Sequence, residues 1–380
     1  MLQSWTRSGI VGIVANPSSG KDVRRLSGHA GVSSNADKRS IVARALVGMA
    51  EAGVAQIRYL PDHANITASA VHLCANELVR VDVAALELGH LSATALDTTA
   101  SARALQAMGC GAVLVLGGDG TNRSFAVGWR DAPVVALSTG TNNAFPQWIE
   151  PTIAGYAAGL VASGRVDIGD VGPAMPVIDI TVEGERADLA LVDAVLHRGN
   201  WVGARALTDP AALLAAVVTL PDPAAMGIAG LAGLAIGSTD HDPGTGSAVH
   251  LLFRPVSEDL SHTATDGSIA GPAGELRQGI RAPLAPGLYA TVAIQSVATM
   301  PWGMVVTWRG PGVLALDGER ERTLLAGQLV TLTVRDNGPR RIDAAAAMRR
   351  MARSTPFATS SRPRFATAAE RGTTSKTGEI

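Results

Sequence analysis

Cysteine is scarce in this chain, with only Cys74 and Cys110 among 380 residues. They are far apart and form no CxxC pair, so neither a disulfide framework nor a zinc cluster is supported, and a reducing, cytoplasmic setting is expected. Net charge is absent too, since 32 Lys plus Arg face 33 Asp plus Glu. A balanced chain has no overall basic field, which argues against nucleic acid or an anionic membrane surface as partner and places specificity in a local site. Aromatic residues are few, 4% against 47% hydrophobic residues, so the core is built from Ala, Val, Leu and Ile, and disorder throughout is excluded. Long apolar runs are missing as well. The most apolar segment, Ala211 to Gly237, is broken by Pro221-Asp222-Pro223 and falls short of the roughly 18 residues a membrane-spanning helix needs. The run Ile10 to Ala15 is too short for the core of a signal peptide and leads into Asn16-Pro17, so no secretion signal is expected. No internal repeat is detectable.

What the chain does have is glycine, 42 residues, and length for two domains at about 150 residues each. From Gly9 to about Phe145, short β-branched runs alternate with longer Ala-rich stretches, the pattern of βα units in a parallel sheet. Strands are expected at Ile10 to Ala15, Ala55 to Leu60, Val81 to Leu88, Ala112 to Leu116 and Pro133 to Leu137. Helices are expected at Asp37 to Ala52, Asp62 to Val79 and Ser92 to Met108. After Pro151 the period changes to two. Val177 to Val182 and Asp188 to Leu196 flank a Glu183-Gly184-Glu185 turn, and short strands continue to Val334, giving a second, β-rich domain. The expected division is an α/β nucleotide-binding domain over 1–150 and a β-rich substrate domain over 151–353. Arg341 to Arg353 would form a closing helix returning to the first domain, and 354–380 a disordered tail.

Three polar, glycine-rich loops follow three of the expected strands. They are Asn16-Pro17-Ser18-Ser19-Gly20-Lys21, Gly117-Gly118-Asp119-Gly120-Thr121-Asn122 and Ser138-Thr139-Gly140-Thr141-Asn142-Asn143. All three belong on one edge of the sheet. Successive backbone N–H groups in such turns form anion-binding concavities, which hydroxyls or a Lys ammonium can supplement, so together they outline a nucleoside triphosphate cleft. It is not a Walker A site, because position 15 is alanine and Lys21 is followed by Asp22; nor does any loop have the dinucleotide GxGxxG spacing, which disfavours hydride transfer. Asp119 stands out. A carboxylate among phosphate-attracting amides would repel the ligand unless it served a metal or an acceptor hydroxyl, so it argues for phosphoryl transfer, as proton acceptor or as an Mg²⁺-orienting group. A plain capping role at the following helix is the alternative.

Asn16-Pro17-x-Ser19-Gly20-Lys21, Gly117-Gly118-Asp119-Gly120-Thr121 and Gly140-Thr141-x-Asn143 resemble the signatures shared by NAD kinases and diacylglycerol or sphingosine kinases. The third loop leans to the lipid-kinase form. Leu189 to Gly199 resembles the NAD-kinase segment in which an Asn-acid pair precedes an apolar strand ending in Arg-Gly. With Gly203-Ala204-Arg205-Ala206, the chain over roughly 9 to 350 most resembles the AcoX type of ATP-NAD kinase, a type associated with acetoin-catabolism operons. The resemblance implies an α/β domain and a β-rich domain with a cleft between them, ATP and Mg²⁺ as the phosphoryl-donor system, and NAD as nominal acceptor. Asp119 would be catalytic. Asn16, Ser19, Gly20, Lys21, Gly117, Gly118, Gly120, Thr121, Asn122, Thr139, Gly140, Thr141 and Asn143 would bind nucleotide, and Asp193, Asp317 and Glu319 would lie on the substrate side. Asp317-Gly318 also suits an ordinary type I′ hairpin turn.

The departures bear on the acceptor. Val192 stands where NAD kinases carry the asparagine that helps hold the nicotinamide nucleotide, and valine can neither donate nor accept a side-chain hydrogen bond. No Thr-Gly-Ser-Thr-Ala-Tyr-like segment follows. A lipid, another small hydroxylated metabolite, or a nucleotide-binding regulator without turnover are the competing readings. Asp240-His241-Asp242 with His250 reads as a solvated loop rather than a metal site, Arg24, Arg25 and His29 as a basic helix face, and Ala211 to Leu220 with Gly227 to Ile236 as Ala-rich core or a homodimer face.

Overall fold

The computed structural model describes residues 9–20, 31, 33–139, 143–199, 209–237, 247–253 and 279–354. The chain starts with β1 (Ile10–Ala15), α1 (Asn35–Glu51), β2 (Gln56–Tyr59), α2 (Ile66–Leu73), β3 (Asp82–Ala85), α3 (Ala95–Ala107), β4 (Ala112–Gly117), α4 (Asp119–Gly128) and β5 (Pro133–Ser138). These five strands are parallel, in the order β3-β2-β1-β4-β5. Helices cover both faces, which is why β1, β4 and β5 are continuous apolar runs with almost no exposed position. The strand order reverses between β1 and β4, the place where an open α/β sheet leaves a crevice beyond its carboxyl ends. The expected helix over 62–79 is shorter, because Asp62 accepts hydrogen bonds from the amides of Ala64 and Ile66 and so delays the helical start to Ile66.

The first layer continues past residue 150. Next comes α5 (Pro151–Ala162), packed so closely on α1 that a Cβ at Gly155 would lie 2.0 Å from the Ala45 carbonyl oxygen and one at Gly48 2.1 Å from that of Thr152. After α6 (Ile168–Val171) the chain enters the β-rich part with β6 (Val177–Val182), β7 (Asp188–Ala190), β8 (Asp193–His197), β9 (Leu213–Val218), α7 (Gly227–Ala235), β10 (Ser247–Phe253), β11 (Gly279–Ala285), β12 (Leu288–Pro301), β13 (Val305–Arg309), β14 (Gly312–Leu316), β15 (Glu319–Leu324) and β16 (Leu329–Arg335). A seven-stranded antiparallel sheet, β11-β12-β10-β9-β8-β14-β15, faces a four-stranded one, β13-β16-β6-β7. Ile178, Ile180, Leu196, Trp308, Leu314 and Leu332 fill the space between them. The chain then returns: β17 (Arg340–Arg341) adds in parallel to β5, and α8 (Ala344–Ser354) packs on α5.

Two expectations are corrected. Residues 188–196 do not form one strand, because the chain crosses between the two sheets at Leu191 and Val192, and β7 and β8 belong to different sheets. The closing helix begins at Ala344 rather than Arg341, because Arg341 is paired with Val134 and the Ile342 amide donates to the Val134 carbonyl. The apolar segment over 211–237 is spent in packing, with β9 central in its sheet and most of α7 buried. No helix among the described residues is long and apolar enough to cross a membrane. Cys74 and Cys110 are both free and buried, and burial pushes the Cys110 thiol up to about 12.

Candidate active site

The loops that leave β1, β4 and β5 meet beyond the carboxyl end of the sheet and are joined to one another. Asn16 donates from Nδ2 to Thr121 Oγ1 at 2.8 Å, tying the first loop to α4. The hydroxyls of Ser19 and Thr139 share a hydrogen bond of 2.7 Å, tying the first loop to the third. The Asp119 carboxylate accepts from the backbone amides of Ala144, at 3.1 Å, and Phe145, at 2.8 Å, tying the second to the third. Within the third, Asn143 donates from Nδ2 to Ser138 Oγ at 2.8 Å, while its Oδ1 lies where a Cβ on Gly118 would approach to 2.9 Å. Gly117 is equally constrained, since its Cβ would lie 2.5 Å from Thr121 Oγ1. Gly20 has φ +68° and sits directly beneath the Thr139 carbonyl.

Asp119 is the first residue of α4 and is 8% exposed. The N-cap, Gly118, supplies no side-chain acceptor to the first turn, and the positive end of the helix dipole lies at this place. Asn122, one turn further, donates to the Gly118 carbonyl, and its Oδ1 is buried without a hydrogen-bond partner among the described residues. Lys21, Gly140, Thr141 and Asn142 lie outside the described residues, as do Arg24, Arg25, His29, Gly203 to Ala206 and Asp240 to Asp242; for Glu319 only the backbone, at the start of β15, is described.

The carboxylates expected on the substrate side, Asp193 and Asp317, are at the seam with the β-rich part. Asp317 turns the β14–β15 hairpin with φ +49°, followed by Gly318 at φ +79°, the pair of left-handed residues a type I′ turn requires. Its side chain also has a second task. It accepts from the amides of Leu191, Val192 and Asp193, with the shortest contact 2.7 Å from Val192, while the Thr219 hydroxyl donates to the Leu191 carbonyl at 2.5 Å. These bonds hold the crossover between the sheets, which is the physical reason the strand breaks there. Burial pushes the Asp317 carboxyl up to about 6, against the opposing pull of those amides and the Arg123 guanidinium. Asp193 begins β8 and is buried, and the Val192 side chain is buried in the core.

Three residues have no signal in the motifs. Lys38, on the first turn of α1, is fully buried and donates to the carbonyls of Asn16, Pro17 and Ser19 at 3.0, 3.0 and 2.6 Å. Arg123, on α4 one turn after Asp119, donates from Nε to the Leu189 carbonyl and from Nη2 to Asp188, both at 2.7 Å; Asp188 is shared with Arg322. Arg341 of β17 donates to the Phe145 carbonyl at 2.8 Å with its guanidinium 5.6 Å from the Phe145 ring centre, and it interacts electrostatically with Asp119. Burial lowers the Arg341 pKa, while Asp343 and Asp119 raise it. A charged residue outside the glycine loops is recognisable only once the fold encloses it.

Residues 11–166 match the family model of the ATP-NAD kinase N-terminal domain, and 176–337 that of the acetoin catabolism protein X C-terminal domain. The chain is also 36% identical over 352 residues to acetoin catabolism protein X of Cupriavidus necator strain H16, a match covering 90% of this chain and 92% of that one. This chain belongs to the acetoin catabolism protein X family. Among solved structures, this member of the family is similar to yeast NADH kinase complexed with NADH at 12% identity and TM-score 0.46, with 94% of this chain and 90% of that chain covered. It is also similar to a putative diacylglycerol kinase from Bacillus anthracis at 11% identity and TM-score 0.34, covering 88% and 99%. The boundary between the two family models lies in α6 and the segment leading to β6, just after the chain leaves the first layer at the end of α5.

Proposed function

We propose that this chain is an ATP- and Mg²⁺-dependent kinase that transfers a phosphoryl group to a hydroxyl of a small acceptor, nominally NAD. The observation that carries the reading is the joining of three loops at the switch point of a parallel sheet around one carboxylate, Asp119. Polyphosphate suits this place because the N-cap of α4 is a glycine that makes no side-chain cap bond and the first and third loops present hydroxyls beside it. Asn16, Ser19, Gly20, Thr121 and Thr139 would line the phosphates, with Lys21, Gly140 and Thr141 from the same loops. For magnesium the loops offer one carboxylate, Asp119, and among the described residues no group of three His, Cys, Asp or Glu is arranged to hold a metal. The ion's other ligands would be phosphate oxygens and water. When bound, it neutralises charge on the transferring phosphoryl group.

In the transfer, Asp119 takes the proton from the acceptor hydroxyl as the new O–P bond forms and the bond to the leaving ADP oxygen breaks. Ala144 and Phe145 hold that carboxylate by two backbone amides, and Arg341 fixes the Phe145 carbonyl behind them. The acceptor would approach from the β-rich side, past Asp193 and the segment Arg123 clamps.

One observation favours an acceptor other than NAD. Val192 is 2% exposed and packed in the core, and its backbone is fixed by Asp317, so the position offers a nicotinamide no side-chain hydrogen bond. The name of the Cupriavidus relative directs attention to small hydroxyketones and their polyols. Nothing comparable supports a lipid acceptor, because the apolar stretch over 211–237 is consumed in packing. ADP release from Mg-ATP across NAD, NADH, diacylglycerol in micelles, small polyols and hydroxyketones tests the reading. Turnover with one acceptor class names the substrate; ATP binding without turnover on any of them points to the nucleotide-binding regulator instead.

A further inference from the structure

The first loop has an unusual division of its backbone groups. The carbonyls of Asn16, Pro17 and Ser19 all point to the Lys38 ammonium, and the Gly20 carbonyl accepts from the Ser33 amide. The Ser18 amide is used locally by Asn16 Oδ1 at 2.8 Å. The amides of Ser19 and Gly20 donate to no group in the described residues. A loop with its carbonyls gathered on one side and free amides left over has the polarity of an anion receptor. An ammonium has three donors, and the bonds to these three carbonyls hold them on the Lys38 side of the loop. It is fully buried, and a cation beneath such a loop is screened little by solvent, so its field adds to that of the amides.

We propose that Lys38 is a positioning residue for the donor phosphates: it draws the carbonyls of Asn16, Pro17 and Ser19 beneath the first loop, leaves the Ser19 and Gly20 amides for phosphate oxygens, and contributes positive potential without touching the ligand. This rests on the nucleotide reading above and assigns within it a residue outside the glycine-rich motifs. The position three residues after Asn35 explains how it gets there. Ser34 and Asp37 form a reciprocal cap that fixes the start of α1, which sets Lys38 in the first turn facing back to the end of β1.

The test separates phosphates from the rest of the nucleotide. Inorganic tripolyphosphate and adenosine are titrated separately into wild-type protein and into Lys38→Met, which keeps the stem and removes the donors. The expected result is a loss of at least tenfold in tripolyphosphate affinity with adenosine affinity unchanged. Tripolyphosphate affinity within twofold of wild type, or an equal loss for both ligands, overturns the positioning role. If wild-type protein binds neither ATP nor tripolyphosphate, the nucleotide reading fails and this proposal with it. Should Lys38→Met not fold, wild-type protein labelled with ¹⁵N-serine and ¹⁵N-glycine decides. The Ser19 and Gly20 amide resonances move downfield on adding tripolyphosphate, and resonances that stay in place refute the arrangement.

Discussion

Replacing Gly20 by alanine strains the contact between the first and third loops at one atom. The residue has φ +68°, and its new Cβ would stand 2.4 Å from the Thr139 carbonyl oxygen and 2.8 Å from Ser33 Cβ. The left-handed conformation itself costs a non-glycine residue about 1–2 kcal/mol. Restoring a contact of about 3.5 Å to a backbone oxygen moves the first loop about 1 Å from the third. That shift stretches the 2.7 Å bond between Ser19 and Thr139 out of hydrogen-bonding range. Its loss adds about 1 kcal/mol, for a total of about 2–3 kcal/mol. Gly184 is the internal control, because it has φ +82° with nothing within 4 Å of its would-be Cβ, so Gly184→Ala carries the conformational cost alone. Chemical denaturation of both variants, with ATP titration of each, separates the effects. Gly20→Ala is expected to lose about 1 kcal/mol more stability than Gly184→Ala and to weaken ATP binding about tenfold or more, while Gly184→Ala binds as wild type. Gly20→Ala that binds ATP normally and is no less stable than Gly184→Ala would show that the close approach of Gly20 to Thr139 does not hold the two loops together.

Other perturbations act on the seam and on buried charges. Arg123→Met removes a buried guanidinium from Asp188 and the Leu189 carbonyl and is expected to cost about 3 kcal/mol, read as a lower denaturation midpoint; an unchanged midpoint contradicts the clamp. Burial raises the Asp317 carboxyl to about 6, so its contribution to stability is full below the unfolded pKa of 3.8 and is lost, by about 3 kcal/mol, as pH rises to 6. Burial lowers His250 to about 4, with the opposite sign, so that stability is lost by about 3 kcal/mol as pH falls from 6.5 to 4. The two nearly cancel in the wild type. Asp317→Asn therefore makes stability rise more steeply from pH 4 to 6, and His250→Gln makes it fall, whereas urea midpoints parallel to wild type in both variants exclude the linkage.

The parallel sheet was readable because each strand is an apolar, β-branched run between glycine-rich loops, and the order of the loops follows from the order of the strands. The three glycine-rich loops were readable for the same reason, since glycine, asparagine and hydroxyl residues are the ones that turn the backbone sharply at the ends of strands. Lys38 was not, because a lysine three residues into a helix after Asn-Ala-Asp has the pattern of a solvated face; only the fold-back of the first loop encloses it. The break at Leu191 and Val192 was hidden too. Alternation runs through it, and the groups that enforce the crossover, Asp317 and Thr219, come from distant parts of the chain. Asp317 illustrates how a turn motif conceals a second role, since Asp-Gly suffices for the hairpin while the carboxylate reaches three amides of another strand.

In the proposed kinase, Asp119 handles the acceptor proton in a cleft that binds ATP. The direct measurement is single-turnover phosphoryl transfer from ³²P-labelled Mg-ATP by wild type and Asp119→Asn, with ATP affinity determined on the same preparations. A loss of roughly 10² to 10⁴ in the transfer rate with ATP affinity within a few-fold of wild type is the predicted result. Transfer by Asp119→Asn at the wild-type rate would contradict it.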